Sequence, residues 1–458
     1  MGDGSRQANP VTARRIAFEI LQRVERTNAY ANLLLDARLA RARLRPPDCA
    51  LATHLVYGVL RWRGKLDWIL AQVTDRPLAA VESQVRDLLR LGAYQLCCLD
   101  RIPAFAAVDE SVTLTRAVGA ARSAAFVNAI LRAVARRAPF PEPSPAADPI
   151  GYWSGVGSHP AWLAERWIAR FAPDEAGRLM AANNQIPPIT VVANSVRISP
   201  EALARALRAS AREVVPGRVA PGAFSVVGAG APTDLPGFAE GHFIPMDEAG
   251  VLPVLALDLA AGQHVLDACA GGGGKTALIA AQVGPTGSVL AVDASDRAIR
   301  RLSEATARLG LPTVRPELRD ARELGAALPG AFPRVLLDAP CTGLGTLRRR
   351  PEIKWRRRPP DLARAAALQT ELLAGVASTV APGGLLVYST CSLEPEETDA
   401  VIGGFLAAHP EFRPAGPLAA GPGRALAALT DPTTGFMRSF PHIHGMDGFF
   451  IARLTRIC

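Results

Sequence analysis

HVLDACAGGGGKTALIAAQV, residues 264–283, decides how the second half of the chain folds. A short apolar run carries Asp267, four glycines follow, and a helix-forming segment opens at Lys275. A strand that turns through glycines directly into a helix is the opening unit of a parallel α/β sheet. Gly274-Lys275-Thr276 also suggests a phosphate loop, but that loop requires a glycine at position 269, where this chain has Cys269. Triphosphate hydrolysis is therefore disfavoured.

The same rhythm continues downstream. SVLAVDAS, RVLLDAP and GLLVYST read as strands, separated by the helical segment DRAIRRLSEATARLG and a long helix near 361–380. The alternation predicts a mostly parallel sheet covered on both faces over residues 249–458. Ligands of such sheets sit beyond the carboxyl ends of the strands. The glycines let a ligand approach the backbone, the helix N-terminus favours a carboxylate, and Asp293 at the second strand end can hold ribose hydroxyls. A dinucleotide and S-adenosylmethionine both fit these features.

Residues 1–140 read differently, as helices. Thr12 can cap a helix whose apolar face runs Ile16, Ile20, Leu21 and Val24, and the pattern recurs in LVYGVLRWRGKLDWIL and SAAFVNAILRAVARR. This segment holds 21 Lys and Arg against 12 Asp and Glu, so it carries the whole formal charge of +9. Such a localised excess points to a polyanion, most simply nucleic acid. APFPEPSPAADP, with five prolines, makes residues 141–157 a linker. A Ser158/Pro160 helix start, the strand ITVVANSV and the helix PEALARALRAS make residues 158–248 a small α+β module. No run of about 18 apolar residues is present, which predicts a soluble cytoplasmic protein without a membrane span. The seven cysteines include no CxxC pair, so neither a disulfide framework nor a metal site is expected.

Two of those cysteines stand at strand ends. RVLLDAPCTGLG puts Asp338 and Cys341 past one strand, and LLVYSTCSLEPEE puts Cys391 past another. A helix-opening segment after Cys391 favours its thiolate, and Glu394, Glu396 and Glu397 partly offset that pull. A thiol beside a methyl donor suits one chemistry well. Carbon 5 of cytosine is not nucleophilic until a thiolate adds to carbon 6, and sulfur both adds and departs readily. Asp338 is placed to bond the pyrimidine edge.

On DACAGGGGKT, VLAVDAS, LLDAPCTGLGTLRRRPEIKW, YSTCSLEPEE and DGFF, residues 249–458 resemble the RNA 5-methylcytosine methyltransferases, the NOL1/NOP2/Sun family. The whole chain is similar to the bacterial members that act on 16S ribosomal RNA, and VYGVLRW and FVNAILR resemble the NusB fold. The resemblance implies a multidomain protein: an all-α NusB-like RNA-binding domain over residues 1–140, the α+β module, and a Rossmann-like α/β methyltransferase domain. It implies S-adenosylmethionine as cofactor, 16S ribosomal RNA as partner, and action as a monomer. In the family the cysteine of the TC motif, matching Cys391, is the nucleophile, and that of the PC motif, matching Cys341, assists product release. The donor segment maps onto Cys269, Ala270, Gly271, Gly272, Gly273, Gly274 and Lys275. The ribose acid maps onto Asp293, the adenine-side acid onto Asp320, and the fourth-motif acid onto Asp338.

The chain departs from the family at Gly271 and Gly272, which replace Ala-Pro, and at Met246, where relatives often carry Gln. Each glycine frees the unliganded loop at roughly 0.4–1 kcal/mol, enough to weaken donor binding several-fold without removing a contact atom. An RNA-binding assembly factor with a spoiled donor site is the alternative reading, and retention of both cysteines and Asp293, Asp320 and Asp338 speaks against it. LRRRPEIKWRRRPP supplies the expected RNA contacts, Arg348, Arg349, Arg350, Lys354, Arg356 and a stacking Trp355. His442 and His444 have no third ligand in view and read as surface or RNA-facing residues.

Overall fold

The structure is a computed structural model that describes residues 11–27, 29–416, 418 and 422–457; Cys458 lies outside the described residues. Two compact units emerge, Met1–Gln185 with Leu347–Arg356, and Ile186–Thr346 with Arg357–Cys458.

The first unit is helical. It contains α1 (Ala13–Arg26), α2 (Ala31–Leu39), α3 (Pro46–Ala71), α4 (Ser83–Cys98), α5 (Ala104–Ala117) and α6 (Ala124–Arg137). Thr12 caps α1 by accepting from the Arg15 N–H at 3.2 Å, and Ile16, Ile20, Leu21 and Val24 all enter the core. Gly58 on α3 is required by packing, because a Cβ there would lie 2.0 Å from the Tyr94 ring. The proline-rich stretch is not wholly a linker. Asp148 accepts from the Gly151 N–H at 2.8 Å, Pro149 takes the first turn, and α7 (Pro149–Ser154) follows.

Helices α8 (Ala161–Phe171) and α9 (Pro173–Asn183) also belong to this unit, so the compact boundary falls inside the 158–248 segment rather than at its start. Ser158 does not cap α8. Its hydroxyl accepts from the Gly64 N–H at 3.0 Å and donates to the Arg61 carbonyl at 2.9 Å.

The basic stretch corrects the sequence reading. Lys354 is fully buried, and its ammonium donates to the carbonyls of Arg61 (3.0 Å) and Ser158 (2.8 Å) and to Asn184 Oδ1 (2.8 Å). Burial, reinforced by the Arg61 charge, holds its pKa well below the usual lysine range. Trp355 Nε1 donates to the Leu60 carbonyl at 2.6 Å, and Arg356 Nη2 donates to the carbonyls of Val24 (3.0 Å) and Ala29. Arg348 is buried, and Arg350 lies over the Tyr30 ring at 4.9 Å. Arg349 is half-buried. Lys354 and Arg348 thus lie in the interior of the helical unit where phosphate contacts were expected, while Trp355 and Arg356 are half-buried and bonded to its backbone.

The second unit begins with β1 (Ile189–Ala193), α10 (Pro200–Arg208), β2 (Glu213–Pro216), β3 (Ala223–Val227) and β4 (Phe243–Pro245), whose strands form an antiparallel sheet in the order β2-β3-β1-β4. Asp247 caps α11 (Glu248–Ala256). There follow β5 (His264–Asp267), α12 (Gly274–Val283), β6 (Ser288–Asp293), α13 (Asp296–Leu309), β7 (Val314–Leu318), α14 (Leu324–Ala327) and β8 (Phe332–Asp338). The short α15 (Ile353–Arg356) lies in the first unit; α16 (Pro359–Ala377), β9 (Val380–Thr390), α17 (Asp399–Ala408), β10 (Phe412–Pro414), β11 (Met437–Ser439), α18 (Pro441–His444) and β12 (Phe449–Arg456) complete the chain.

The large sheet has the order β10-β12-β9-β8-β5-β6-β7, with β11 beside β12. The five strands from β9 to β7 are parallel, and β12 joins β9 antiparallel. Val265, Leu266, Leu336, Val387 and Tyr388 are fully enclosed, as strands covered on both faces require. The chain leaves β5 toward β6 on one side and later returns to β8 on the other. Parallel α/β sheets bind ligands at such a reversal, beyond the carboxyl ends.

Candidate active site

The glycine loop is built around backbone conformations that only glycine adopts easily. Gly271 has φ +56° and Gly273 has φ +83°. A Cβ at Gly271 or Gly272 would meet nothing within 4 Å, whereas one at Gly273 would strike Leu302 at 2.4 Å. The face of the loop at Gly271 and Gly272 is therefore open, and the face at Gly273 is closed by packing. The left-handed φ at Gly271 is one that a residue before proline avoids. Met246 fills space beside the loop, with its methyl 2.5 Å from where a Cβ on Gly274 would stand.

Asp293, at the end of β6, accepts from the Gly271 N–H (2.9 Å) through Oδ2 and from the Ser295 N–H (2.8 Å) through Oδ1. Asp320, past the end of β7, is gripped by Arg322, whose Nη2 lies 2.7 Å from Oδ2, and these bonds lower its pKa. Cys269 is half-buried, and burial followed by the surrounding carboxylates raises its thiol pKa far above the usual range.

Asp338, closing β8, joins the loop to the cysteine strands. Its Oδ2 accepts from Lys275 Nζ at 2.6 Å and its Oδ1 from Ser389 Oγ at 2.6 Å. Burial alone would lower the Lys275 pKa, but the charge and hydrogen bond of Asp338, with Cys391 nearby, outweigh it and raise the value. The Lys275 ammonium also lies 5.4 Å from the centre of the Phe449 ring, in the DGFF segment.

The two cysteines, fifty positions apart in sequence, meet with Cys341 Sγ and Cys391 Sγ 3.1 Å apart. The hydrogen bond with Cys391, then burial, pushes the Cys341 thiol well above its ordinary pKa. Glycines allow this approach: Gly345 N–H donates to the Cys391 carbonyl at 2.9 Å, and Gly448 N–H to the Gly345 carbonyl at 2.8 Å. A Cβ on Gly345 would stand 2.0 Å from the Gly448 oxygen. Arg357 Nε donates to the Thr342 carbonyl at 2.8 Å.

Two groups escaped the sequence reading. Asp267 is buried at the end of β5, receives Thr276 Oγ1 at 2.6 Å, and is pushed by burial to a pKa of about 7. Its place as the last residue of the strand was the available signal. Glu397, read as one of three acids near Cys391, has no exposure and accepts hydrogen bonds from both cysteine loops. His444 Nδ1 accepts from the Phe440 N–H at 2.8 Å, a local turn contact. Among the described residues no three His, Cys, Asp or Glu side chains are grouped to hold a metal ion, and no helix is long and apolar enough to cross a membrane.

Comparison with known proteins agrees with this architecture. Residues 254–455 match the model of the 16S rRNA methyltransferase RsmB/F family, residues 11–136 the NusB family, and residues 159–231 the ferredoxin-like domain of RsmF/B-like methyltransferases. The chain is 35% identical over 449 residues to a probable ribosomal RNA small subunit methyltransferase B of Bacillus subtilis, covering 97% of this chain and 99% of that one. It is 33% identical to the ribosomal RNA small subunit methyltransferase B of Erwinia tasmaniensis, covering 97% and 98%. The solved structure of PH0851 superimposes with a TM-score of 0.82 at 25% identity, over 98% of this chain and all (100%) of that one. The chain belongs to the RsmB/F family of ribosomal RNA small subunit methyltransferases, S-adenosylmethionine-dependent enzymes that here carry a NusB-family helical domain ahead of the α/β methyltransferase domain.

Proposed function

We propose that this chain methylates a cytosine of 16S ribosomal RNA at carbon 5 through a covalent adduct between Cys391 and carbon 6. The observation that carries the reading is the 3.1 Å approach of the two cysteine sulfurs beside the Lys275–Asp338 pair. A thiolate on carbon 6 turns the inert carbon 5 into an enamine-like nucleophile, and the same sulfur leaves once the carbon-5 proton is lost. The hydrogen bond with Cys391 and burial raise the Cys341 pKa, which favours Cys341 as the thiol that keeps its proton, and the family resemblance gives the attack to Cys391, with the Lys275 ammonium close by. Asp338, fixed by Lys275 and Ser389, presents its remaining lone pairs to the N4 amino group of the base. Cys341 serves the later breakdown of the adduct.

The glycine loop fits the methyl donor, because Cβ positions at Gly271 and Gly272 face open space and the loop is tied to an acid at the next strand end. S-adenosylmethionine supplies an electrophilic methyl group when bound. Residues Cys269 to Lys275 would lie along it, with Asp293 at its ribose and Asp320 at its adenine. For RNA docking, the helical unit offers a groove of about 800 Å³ between α5 and α6. Arg116, Arg132 and Arg136 line it against the single acid Asp109, and Phe105 stands 78% exposed as a stacking platform. Action on ribosomal RNA fits a cytoplasmic protein.

The test is incubation with 16S ribosomal RNA and methyl-labelled S-adenosylmethionine, followed by bisulfite mapping. Label confined to 5-methylcytosine is expected. Label on another base or atom overturns the cytosine reading, and binding of RNA without calorimetric uptake of the donor indicates an assembly factor instead.

A further inference from the structure

We infer that Glu397 is a positioning residue that sets the two cysteine loops against one another, a role that rests on the two-thiol reading above. Its carboxylate is fully buried, and all the hydrogen bonds it accepts come from residues around the reacting thiols. Oε1 accepts from the Thr342 N–H at 2.8 Å and from Gln369 Nε2 at 3.0 Å. Oε2 accepts from Ser392 Oγ at 2.5 Å and from Thr342 Oγ1. Thr342 directly follows Cys341, and Ser392 directly follows Cys391. Gln369 adds a bond to the carbonyl of Pro340, the residue before Cys341, at 3.0 Å. One carboxylate therefore ends both loops, and its four lone-pair directions are used by four donors.

The anchor is itself held. The Tyr388 hydroxyl, on the strand leading to Cys391, donates to the Glu397 carbonyl at 2.8 Å. Ser392 Oγ also accepts from the Glu394 N–H at 3.2 Å, which folds the chain after Cys391 back toward the carboxylate. A serine hydroxyl and a threonine hydroxyl both spend their single proton on Glu397, so a side chain with a donor in that place would face donors. Glutamine has the same shape and one such donor. It would lose at least one of the four contacts and push one cysteine loop away from the other.

The predicted consequence is specific to the chemical step. Glu397→Gln should lower kcat for methyl transfer by on the order of tenfold to a hundredfold, because a displacement near 1 Å at reacting groups has effects of that size. KM for RNA and for S-adenosylmethionine should change by no more than about twofold, since Glu397 touches neither. A second readout needs no catalysis. Mild hydrogen peroxide should join Cys341 to Cys391, with both thiol protons and two electrons passing to the peroxide as it becomes water. Mass spectrometry of the peptides should show this pairing at least about tenfold slower in Glu397→Gln than in the wild type.

Ser392→Ala removes one of the contacts without touching the carboxylate, and it should show the same two changes at smaller size. Retention of fold is checked by circular dichroism, and Ser392→Ala is the variant read if Glu397→Gln does not fold. Thiol pairing at the wild-type rate, or an equal rise in both KM values with kcat intact, overturns the inference. A wild-type protein that methylates no cytosine refutes the proposed reaction, while the thiol-pairing comparison still judges Glu397.

Discussion

Lys275 Nζ stands 2.6 Å from Asp338 Oδ2, tying the helix that follows the glycine loop to the strand that precedes Cys341. The charge of Cys391 also acts on Lys275. Lys275→Met should therefore leave Asp338 without its cation and Cys391 without a neighbouring positive charge. Single-turnover methyl transfer should slow on the order of 10²–10³-fold, with RNA affinity unchanged. A rate within about threefold of wild type would remove Lys275 from the chemistry.

The order of the two thiols can be read from trapped adducts. Cys391→Ala should form no covalent RNA complex and transfer no methyl group. Cys341→Ala should still attack and methylate, then release slowly, accumulating a protein–RNA band that survives denaturing electrophoresis when S-adenosylmethionine is present. The reverse pattern would make Cys341 the nucleophile.

Asp267 gives a pH signature. Its folded pKa of about 7 lies above the ordinary 3.8, so the folded state holds this proton more tightly than the unfolded chain. Stability contributed by the protonated form is complete below about pH 4 and is lost as pH rises through 7, by roughly 4 kcal/mol in all. Asp267→Asn should keep an acceptor for Thr276 and flatten the melting-temperature profile between pH 4 and 7. Parallel profiles for variant and wild type would contradict the assignment.

Lys354→Met should damage the helical unit rather than RNA binding. Three buried acceptors lose their donor, at roughly 1–3 kcal/mol each. A melting temperature lower by at least about 6 °C is expected, with the salt dependence of RNA binding unaltered. A flattened salt slope with normal melting would restore the phosphate-contact reading.

Double substitution of Arg132 and Arg136 by Glu tests the α5–α6 groove. Both side chains are exposed, so folding should survive. RNA affinity should fall and the salt slope should decrease by about two phosphate contacts, with kcat at saturating RNA unchanged. An unchanged slope would direct the search for the RNA-docking face elsewhere on the unit.

The parts of the site legible in the sequence are those where one local pattern has one geometric outcome. A strand running into glycines and a helix could only open a parallel sheet, and Asp293, Asp338, Cys341 and Cys391 were then placed at carboxyl ends by the alternation alone. The rest depended on contacts far apart in the chain. Lys354 looks the same in sequence whether it is solvated, bound to phosphate or buried. Its burial follows from acceptors at positions 61, 158 and 184, which no local pattern connects. Glu394, Glu396 and Glu397 are likewise alike on paper, yet Glu394 and Glu397 are sealed from solvent and Glu396 is not. Gly271 could be read as loosened loop, but its positive φ appears only in the folded backbone.

Residues 347–356 belong to a unit whose other members end at Gln185, and Leu347, Arg348, Glu352, Ile353 and Lys354 are buried in it. During synthesis the first 185 residues therefore emerge without the segment that supplies Lys354, Trp355 and Glu352 to their core. At about 5–20 residues per second, the ribosome takes roughly 10–30 s to deliver it. Throughout that interval the carbonyls of Ser158 and Arg61 wait for a donor encoded 196 and 293 codons downstream. Translation rate across the methyltransferase half thus sets how long the helical half stays incomplete, and a fragment cut after Gln185 would remain so.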